Sequence, residues 1–177
     1  MNAQPNLGMQ PTTFANPMGI DGFEFVEFAA PDAAPLHALF KRMGFSAVLK
    51  HKSRNITVYR QGGVNFVVNE DPESFAADFA RMHGPCACGF AIRFQNPADE
   101  VYGTVIGNGG DPITHYEDTK VVAAPVVKGI GDCMLYLIDR YGKAGSIFDG
   151  DYAPIPGVDQ NPKGFGLTFI DHLTHNL

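Results

Sequence analysis

The stretch Ile20-Asp21-Gly22-Phe23-Glu24-Phe25-Val26-Glu27-Phe28-Ala29-Ala30 decides how the rest of the chain is read. Its apolar and aromatic side chains fall on both faces of an extended backbone, the pattern of a strand covered on both sides. Pro31-Asp32 then starts a helix, in which Leu36, Leu39, Phe40 and Met43 follow an i, i+3, i+4, i+7 stripe and Gly44 supplies the stop. Three short strands follow, Phe45–Lys52, Asn55–Gln61 and Val64–Asn69. The last two are joined at Gln61-Gly62-Gly63, where glycine permits the positive φ of a tight turn. Strand, helix and three-stranded meander make one unit.

Working outward, the same order recurs. Ser74–His83 is a short helix with Phe75, Phe79 and Met82 expected inward, closed by Gly84-Pro85. Cys86–Gln95 is a strand, and Pro97–Asn108 is a helix through Ala98, Val101, Tyr102 and Val105. Gly103 and Gly107 each cost that helix about 1 kcal/mol relative to alanine. Strands are expected near Ile113–Glu117, Val121–Val127 and Met134–Arg140, and Ser146–Asp149 is a candidate extension of the sheet. The fold class is therefore α+β, two paired βαββ(β) modules whose strands curl around a half-open cup with the helices outside.

The flanks are different. Residues 1–17, rich in Asn, Gln, Pro and Thr without an apolar period, are expected as a flexible leader. Residues 150–164 hold three prolines and three glycines and suit a surface linker. Beyond them, residues 165–177 have the alternation of a strand. Leu167, Phe169 and Asp171 share one face, and Thr168, Ile170 and His172 the other. This strand is expected to open a third unit, and by itself it offers a metal one imidazole, too few donors for a catalytic site.

Composition narrows the function. A net charge of -6 over 177 residues argues against nucleic-acid or anionic-membrane binding and favours a small-molecule partner. Cys86, Cys88 and Cys133 are an odd set without zinc-ligand spacing, and no signal peptide or long apolar span is present, so a cytoplasmic setting is expected. Cys86 and Cys88 read as small buried residues. Gly142-Lys143-Ala144-Gly145-Ser146 lacks phosphate-loop spacing and reads as a turn, and Asp149 and Asp151 as solvated or turn-capping loop residues. His83 at a helix C-terminus is explained by capping.

Seven pieces, in order and spacing, carry a resemblance. They are Asn16-Pro17-Met18-Gly19, Gly22-Phe23-Glu24-Phe25, Tyr59-Arg60-Gln61-Gly62, His83-Gly84-Pro85, Lys128-Gly129-Ile130-Gly131, Tyr136-Leu137-Ile138-Asp139-Arg140 and Ile170-Asp171-His172-Leu173-Thr174-His175-Asn176. Together they resemble the bacterial 4-hydroxyphenylpyruvate dioxygenases of the vicinal-oxygen-chelate superfamily. The resemblance implies a longer chain of two such domains. Residues 18–149 would be the first, mainly structural domain without metal, and residues 165–177 the first strand of an absent C-terminal catalytic domain. It further implies Fe(II) held by two histidines and a glutamate, with 4-hydroxyphenylpyruvate and O2 as substrates and homogentisate and CO2 as products in tyrosine catabolism. A homo-oligomer is also implied. By this match His172 is the first iron ligand, the other ligands lie in absent sequence, and the isolated chain is inactive. His175 is not expected to be a ligand.

The internal repeat supplies a separate comparison. Phe169-Ile170-Asp171-His172-Leu173 aligns with Gly22-Phe23-Glu24-Phe25-Val26, which puts Phe25 at the ligand place. The corresponding places on the later strands fall at Gly89 and Tyr136. A Phe, Gly, Tyr set cannot hold iron, so the cup of the complete domain is expected to be filled by apolar side chains. Three alternatives stay open: 4-hydroxymandelate synthase, which shares substrate and metal, a stand-alone non-catalytic binding module, and a metal enzyme whose site is assembled between subunits.

Overall fold

A computed structural model describes residues 15–116 and 120–175. The first unit comprises β1 (Ile20–Ala29), α1 (Ala34–Arg42), β2 (Ser46–His51), β3 (Ile56–Gln61) and β4 (Val64–Asn69). After α2 (Phe75–His83), the second comprises β5 (Cys86–Phe94), α3 (Ala98–Gly107), β6 (Val126–Lys128) and β7 (Met134–Ile138), and β8 (Tyr152–Pro154) follows. The strands form one open sheet in the order β6-β7-β5-β1-β4-β3-β2-β8. Within the units, β1 runs parallel to β4 and β5 parallel to β7, while β3–β4, β2–β3 and β6–β7 are antiparallel. Parallel neighbours need a long connection, which a helix plus the intervening strands supplies. The two units meet where β1 pairs antiparallel with β5, so the sheet repeats itself about its centre.

α1 and α3 cover one face of the sheet, while α2 packs at the ends of β1 and β5, with its Phe75 against the cup cluster. Phe40 anchors α1 on Phe45, Tyr59, Val64 and Val68, with edge-on contacts to Phe28 and Tyr59. Ala98 and Val101 of α3 pack on Phe94 and Leu137, and Ala76, Phe79 and Ala80 of α2 pack with Ala29 and Cys88. Local chemistry sets the helix starts. The Ser74 hydroxyl accepts from Ala77 N at 3.2 Å and so caps α2, and Asp139 Oδ2 accepts from Ala98 N at 2.8 Å at the start of α3.

Several expectations are corrected. Leu39, Met43 and Met82 are 40%, 38% and 73% exposed, so the expected stripes are narrower than the spacing suggests. α1 needs only Phe40 as a fully buried anchor, and in α2 the small Ala76 and Ala80 flank Phe79 and let the helix approach the sheet closely. Of the strand expected at Ile113–Glu117, the described residues 113–116 form none, a single bridge pairs the preceding Pro112 with Val127, and Glu117 lies outside the described residues. The strand expected from Val121 begins only at Val126, because residues 121–124 bend, with Ala124 N donating to Val122 O at 3.0 Å. β7 ends at Ile138, where Asp139 turns to α3. Ser146–Asp149 is a turn in which Asp149 Oδ2 accepts from Ser146 N at 2.9 Å.

The 150–164 stretch is less of a linker than its composition suggests. Tyr152–Pro154 pairs with β2 as an edge strand, where the missing proline N–H is tolerated. Further on, the Gln160 side chain donates to Val48 O at 3.2 Å, and Arg60 Nη1 donates to Gln160 O at 3.0 Å. Residues 165–175, expected as a strand, join no ladder among the described residues. A strand is held by a neighbour's backbone, and here the sheet's turn at Gly63 supplies one N–H, to Thr168 O at 3.0 Å. The expected leader lies outside the described residues except for residues 15–17.

Candidate functional site

The face of the sheet away from α1 and α3 forms the cup. Its register aligns Phe25 with Ala91 and Ala91 with Tyr136, so these three stand in one row. Gly89 belongs to the next row, between Glu27 and Met134. The Phe, Gly, Tyr set expected from the repeat is thereby corrected to Phe25, Ala91 and Tyr136. The slip arises because β1 and β5 pair through three register shifts, which counting along the sequence cannot detect. Phe25 and Tyr136 are buried with ring centroids 5.3 Å apart, and Phe148 packs 5.8 Å from Phe25. Val58, Val67 and Ile138 close the cup around them.

The cup is nevertheless not purely apolar, which corrects a second expectation. Glu27, 1% exposed, accepts from Asn69 Nδ2 at 2.9 Å through Oε1 and from the Tyr136 hydroxyl at 3.1 Å through Oε2. A Cβ on residue 89 would stand 3.0 Å from Glu27 Oε2 and from Met134 O, so Gly89 makes room for the carboxyl rather than vacating a ligand place. Burial raises the Glu27 pKa, and the hydrogen bonds from Asn69 and Tyr136 partly oppose it. Burial and the Glu27 charge push the Tyr136 phenol well above its ordinary range. The Tyr152 hydroxyl completes the polar lining by donating to Val121 O at 2.7 Å. The sequence signal for Glu27 was present as a charged residue within an aromatic strand.

Elsewhere the sequence-derived candidates separate. His172 Nδ1 lies 2.8 Å from Asp171 Oδ2, with side chains 74% and 77% exposed. The two neighbours were expected on opposite faces, and they meet because the segment is not a strand. The His175 ring packs 5.6 Å from Phe90, beside a cavity of about 490 Å³ lined by Val26, Phe79, His83, Cys86, Phe90 and Cys133. His83 lies against the Phe79 ring at 4.3 Å. Burial raises the Cys86, Cys88 and Cys133 thiols, which makes them poor nucleophiles and poor ligands.

Iron(II) in a two-histidine, one-carboxylate site requires three convergent donors. Among the described residues no group of three His, Cys, Asp or Glu side chains could hold a metal. The one cup carboxyl, Glu27, is already engaged by Asn69 and Tyr136. The described residues do not fit an iron site. Nor, among the described residues, is any helix long and apolar enough to cross a membrane.

Two units of strand, helix and meander, paired through their first strands around a cup, define the vicinal-oxygen-chelate fold. Within it, the chain belongs to the hydroxyphenylpyruvate dioxygenase family, since residues 14–153 match the family model described as "Hydroxyphenylpyruvate dioxygenase, HPPD, N-terminal". The 4-hydroxyphenylpyruvate dioxygenase of Pseudomonas sp. (strain P.J. 874) is 43% identical over 164 residues, 93% of this chain and 46% of that protein. Its counterpart in Pseudomonas aeruginosa is 42% identical over 165 residues, 92% of this chain and 46% of that protein. A solved xylose isomerase-like TIM barrel/4-hydroxyphenylpyruvate dioxygenase fusion protein superposes with a TM-score of 0.75 at 30% identity, covering 93% of this chain and 26% of that one. The chain spans about half the length of the curated dioxygenases it matches.

Proposed function

We propose that this chain is the N-terminal, mainly structural half of a 4-hydroxyphenylpyruvate dioxygenase, which converts 4-hydroxyphenylpyruvate and O2 into homogentisate and CO2. The observation that carries the reading is the family match to the N-terminal domain over residues 14–153, in a chain whose cup is closed by its own side chains. A binding module working alone would need an open polar cup, and Phe25, Tyr136 and Phe148 occupy that space.

In this reading His172 contributes one imidazole to an Fe(II) site whose other ligands this chain does not supply. The metal, when bound, offers open positions for a 2-oxo acid and dioxygen. The exposure of His172 leaves its ring accessible to such a partner surface, and Asp171 Oδ2 orients the ring through Nδ1, leaving Nε2 as the ligating nitrogen. Self-association and a cytoplasmic setting belong to the same proposal.

Titration of the purified 177-residue chain with Fe(II) tests the division of labour. The expected result is weak binding that His172→Ala removes, with no metal retained through gel filtration. Stoichiometric iron that survives gel filtration contradicts the reading.

A further inference from the structure

Gln61 ends β3 with its side chain fully buried, yet none of its partners belongs to the cup or to the sheet ladder. Its Nε2 donates to Met43 O at 2.9 Å, at the end of α1, while Oε1 accepts from Phe165 N at 2.6 Å and from Leu167 N at 3.4 Å. One amide thus joins a helix end to the segment that leads to His172. The turn after it engages the same segment, with Gly62 N donating to Pro162 O at 2.8 Å and Gly63 N to Thr168 O at 3.0 Å.

The glycines show that this contact leaves no spare room. A Cβ on Gly62 would overlap Leu167 O, one on Gly63 would overlap Thr168 O, and one on Gly164 would overlap Gly44 O. At Gly44 a Cβ would stand 2.9 Å from the Phe165 ring. Gly44, Gly62 and Gly164 also take positive φ, of 87°, 54° and 50°. Ile170 then packs against the apolar cluster beneath α1. From Thr168, held by Gly63, only three residues intervene before His172.

We propose that Gln61, with Gly62 and Gly63, is a clamp that fixes residues 162–170 against the domain and thereby sets the place of His172. Gln61 is a positioning residue in this account, since it touches the segment and not the reacting atoms. The last step, from segment to metal site, rests on the reading of His172 as a ligand. The clamp itself does not.

The test uses the 177-residue chain, with amide exchange at Phe165 and Leu167 and the ¹⁵N heteronuclear NOE at Asp171 and His172 as readouts. In Gln61→Leu and Gly63→Ala, exchange should accelerate at least tenfold and the NOE should fall, while amides of β1 and β5 keep their protection. Gln61→Glu, measured near pH 5 where burial favours the protonated carboxyl, can still donate to Met43 O and accept from Phe165 N–H and should retain most of the protection, a rescue that a loss of general stability would not produce. Gly164→Ala attacks the contact from the segment side, so the test survives if the Gln61 variants fail to fold. Unchanged exchange and NOE in Gly63→Ala and Gly164→Ala overturn the proposal. His172→Ala should leave the exchange at Phe165 unchanged. A clamp that passes, in a chain whose weak Fe(II) binding is insensitive to His172→Ala, isolates the failure to the ligand reading.

Discussion

Glu27→Leu and Glu27→Gln form a pair of perturbations that separates the polar network of the cup from its shape. Leucine removes the acceptor for Asn69 Nδ2, which is 3% exposed, and the partner of the Tyr136 hydroxyl, which keeps only Met134 Sδ at 3.3 Å and a 3.5 Å contact with Val121 N. Each orphaned buried group costs roughly 1–3 kcal/mol, so Glu27→Leu should lose about 2–4 kcal/mol near pH 5 after the gain from removing a buried carboxyl. Glutamine keeps the pattern of the protonated acid. Its oxygen accepts from Asn69, its amide donates to the Tyr136 oxygen, and the tyrosyl proton turns to Met134 Sδ. Glu27→Gln should therefore fall within about 1 kcal/mol of the parent at that pH.

The pH dependence has a definite sign. Burial raises the Glu27 pKa in the folded chain above the ordinary glutamate value that holds in the unfolded one, so the folded state binds more protons than the unfolded one between those two values. Stability from this group is complete below the unfolded pKa and is lost as pH rises through the folded one. Glu24, also raised by burial, adds a slope of the same sign that Glu27→Gln does not remove. The stability of Glu27→Gln relative to the parent should thus increase from pH 5 to pH 8. Urea unfolding followed by far-UV circular dichroism measures this, as the chain has no tryptophan to report by fluorescence. A leucine variant as stable as the parent at pH 5, or a glutamine variant that loses ground as pH rises, would refute the reasoning.

Phe40→Ala should cost about 3–5 kcal/mol, because the ring is the only fully buried anchor of α1 and contacts Phe28, Phe45, Tyr59 and Phe66. The same urea titration checks it, with a loss below about 1 kcal/mol counting against the packing described. Ser74→Ala should cost about 1–2 kcal/mol, since the hydroxyl both caps α2 and donates to Asp71 O at 2.6 Å. Exchange of the Ala77 amide should rise with it. His172→Ala, at a side chain 74% exposed, should change unfolding stability by no more than about 0.5 kcal/mol.

The first unit was legible because each of its elements carries a local signal. Gly44 stops α1 at φ 87°, and Gly62 turns the hairpin at φ 54°. The second unit was harder to read where tertiary packing overrides pattern, as at Val121 and Val122, which enter the cup from bends rather than from a strand. β8 was hidden by Pro154 and the nearby Pro156, since an edge strand tolerates what a central strand cannot. In the site, the row of Phe25 and Tyr136 followed from the repeat, but Ala91 required the bulged register of β1 and β5. Glu27 stood in plain view in the first strand. That its carboxyl fills the space left by Gly89 is a relation between strands, which no single stretch contains.

The central claim, that this chain supplies a scaffold and one ligand but no complete iron site, is tested most directly by turnover. Purified 177-residue chain would be incubated with Fe(II), ascorbate, 4-hydroxyphenylpyruvate and O2, and homogentisate measured by chromatography against a metal-free control. The account predicts homogentisate no higher than in the control. Formation above that control, abolished by chelation, would contradict it.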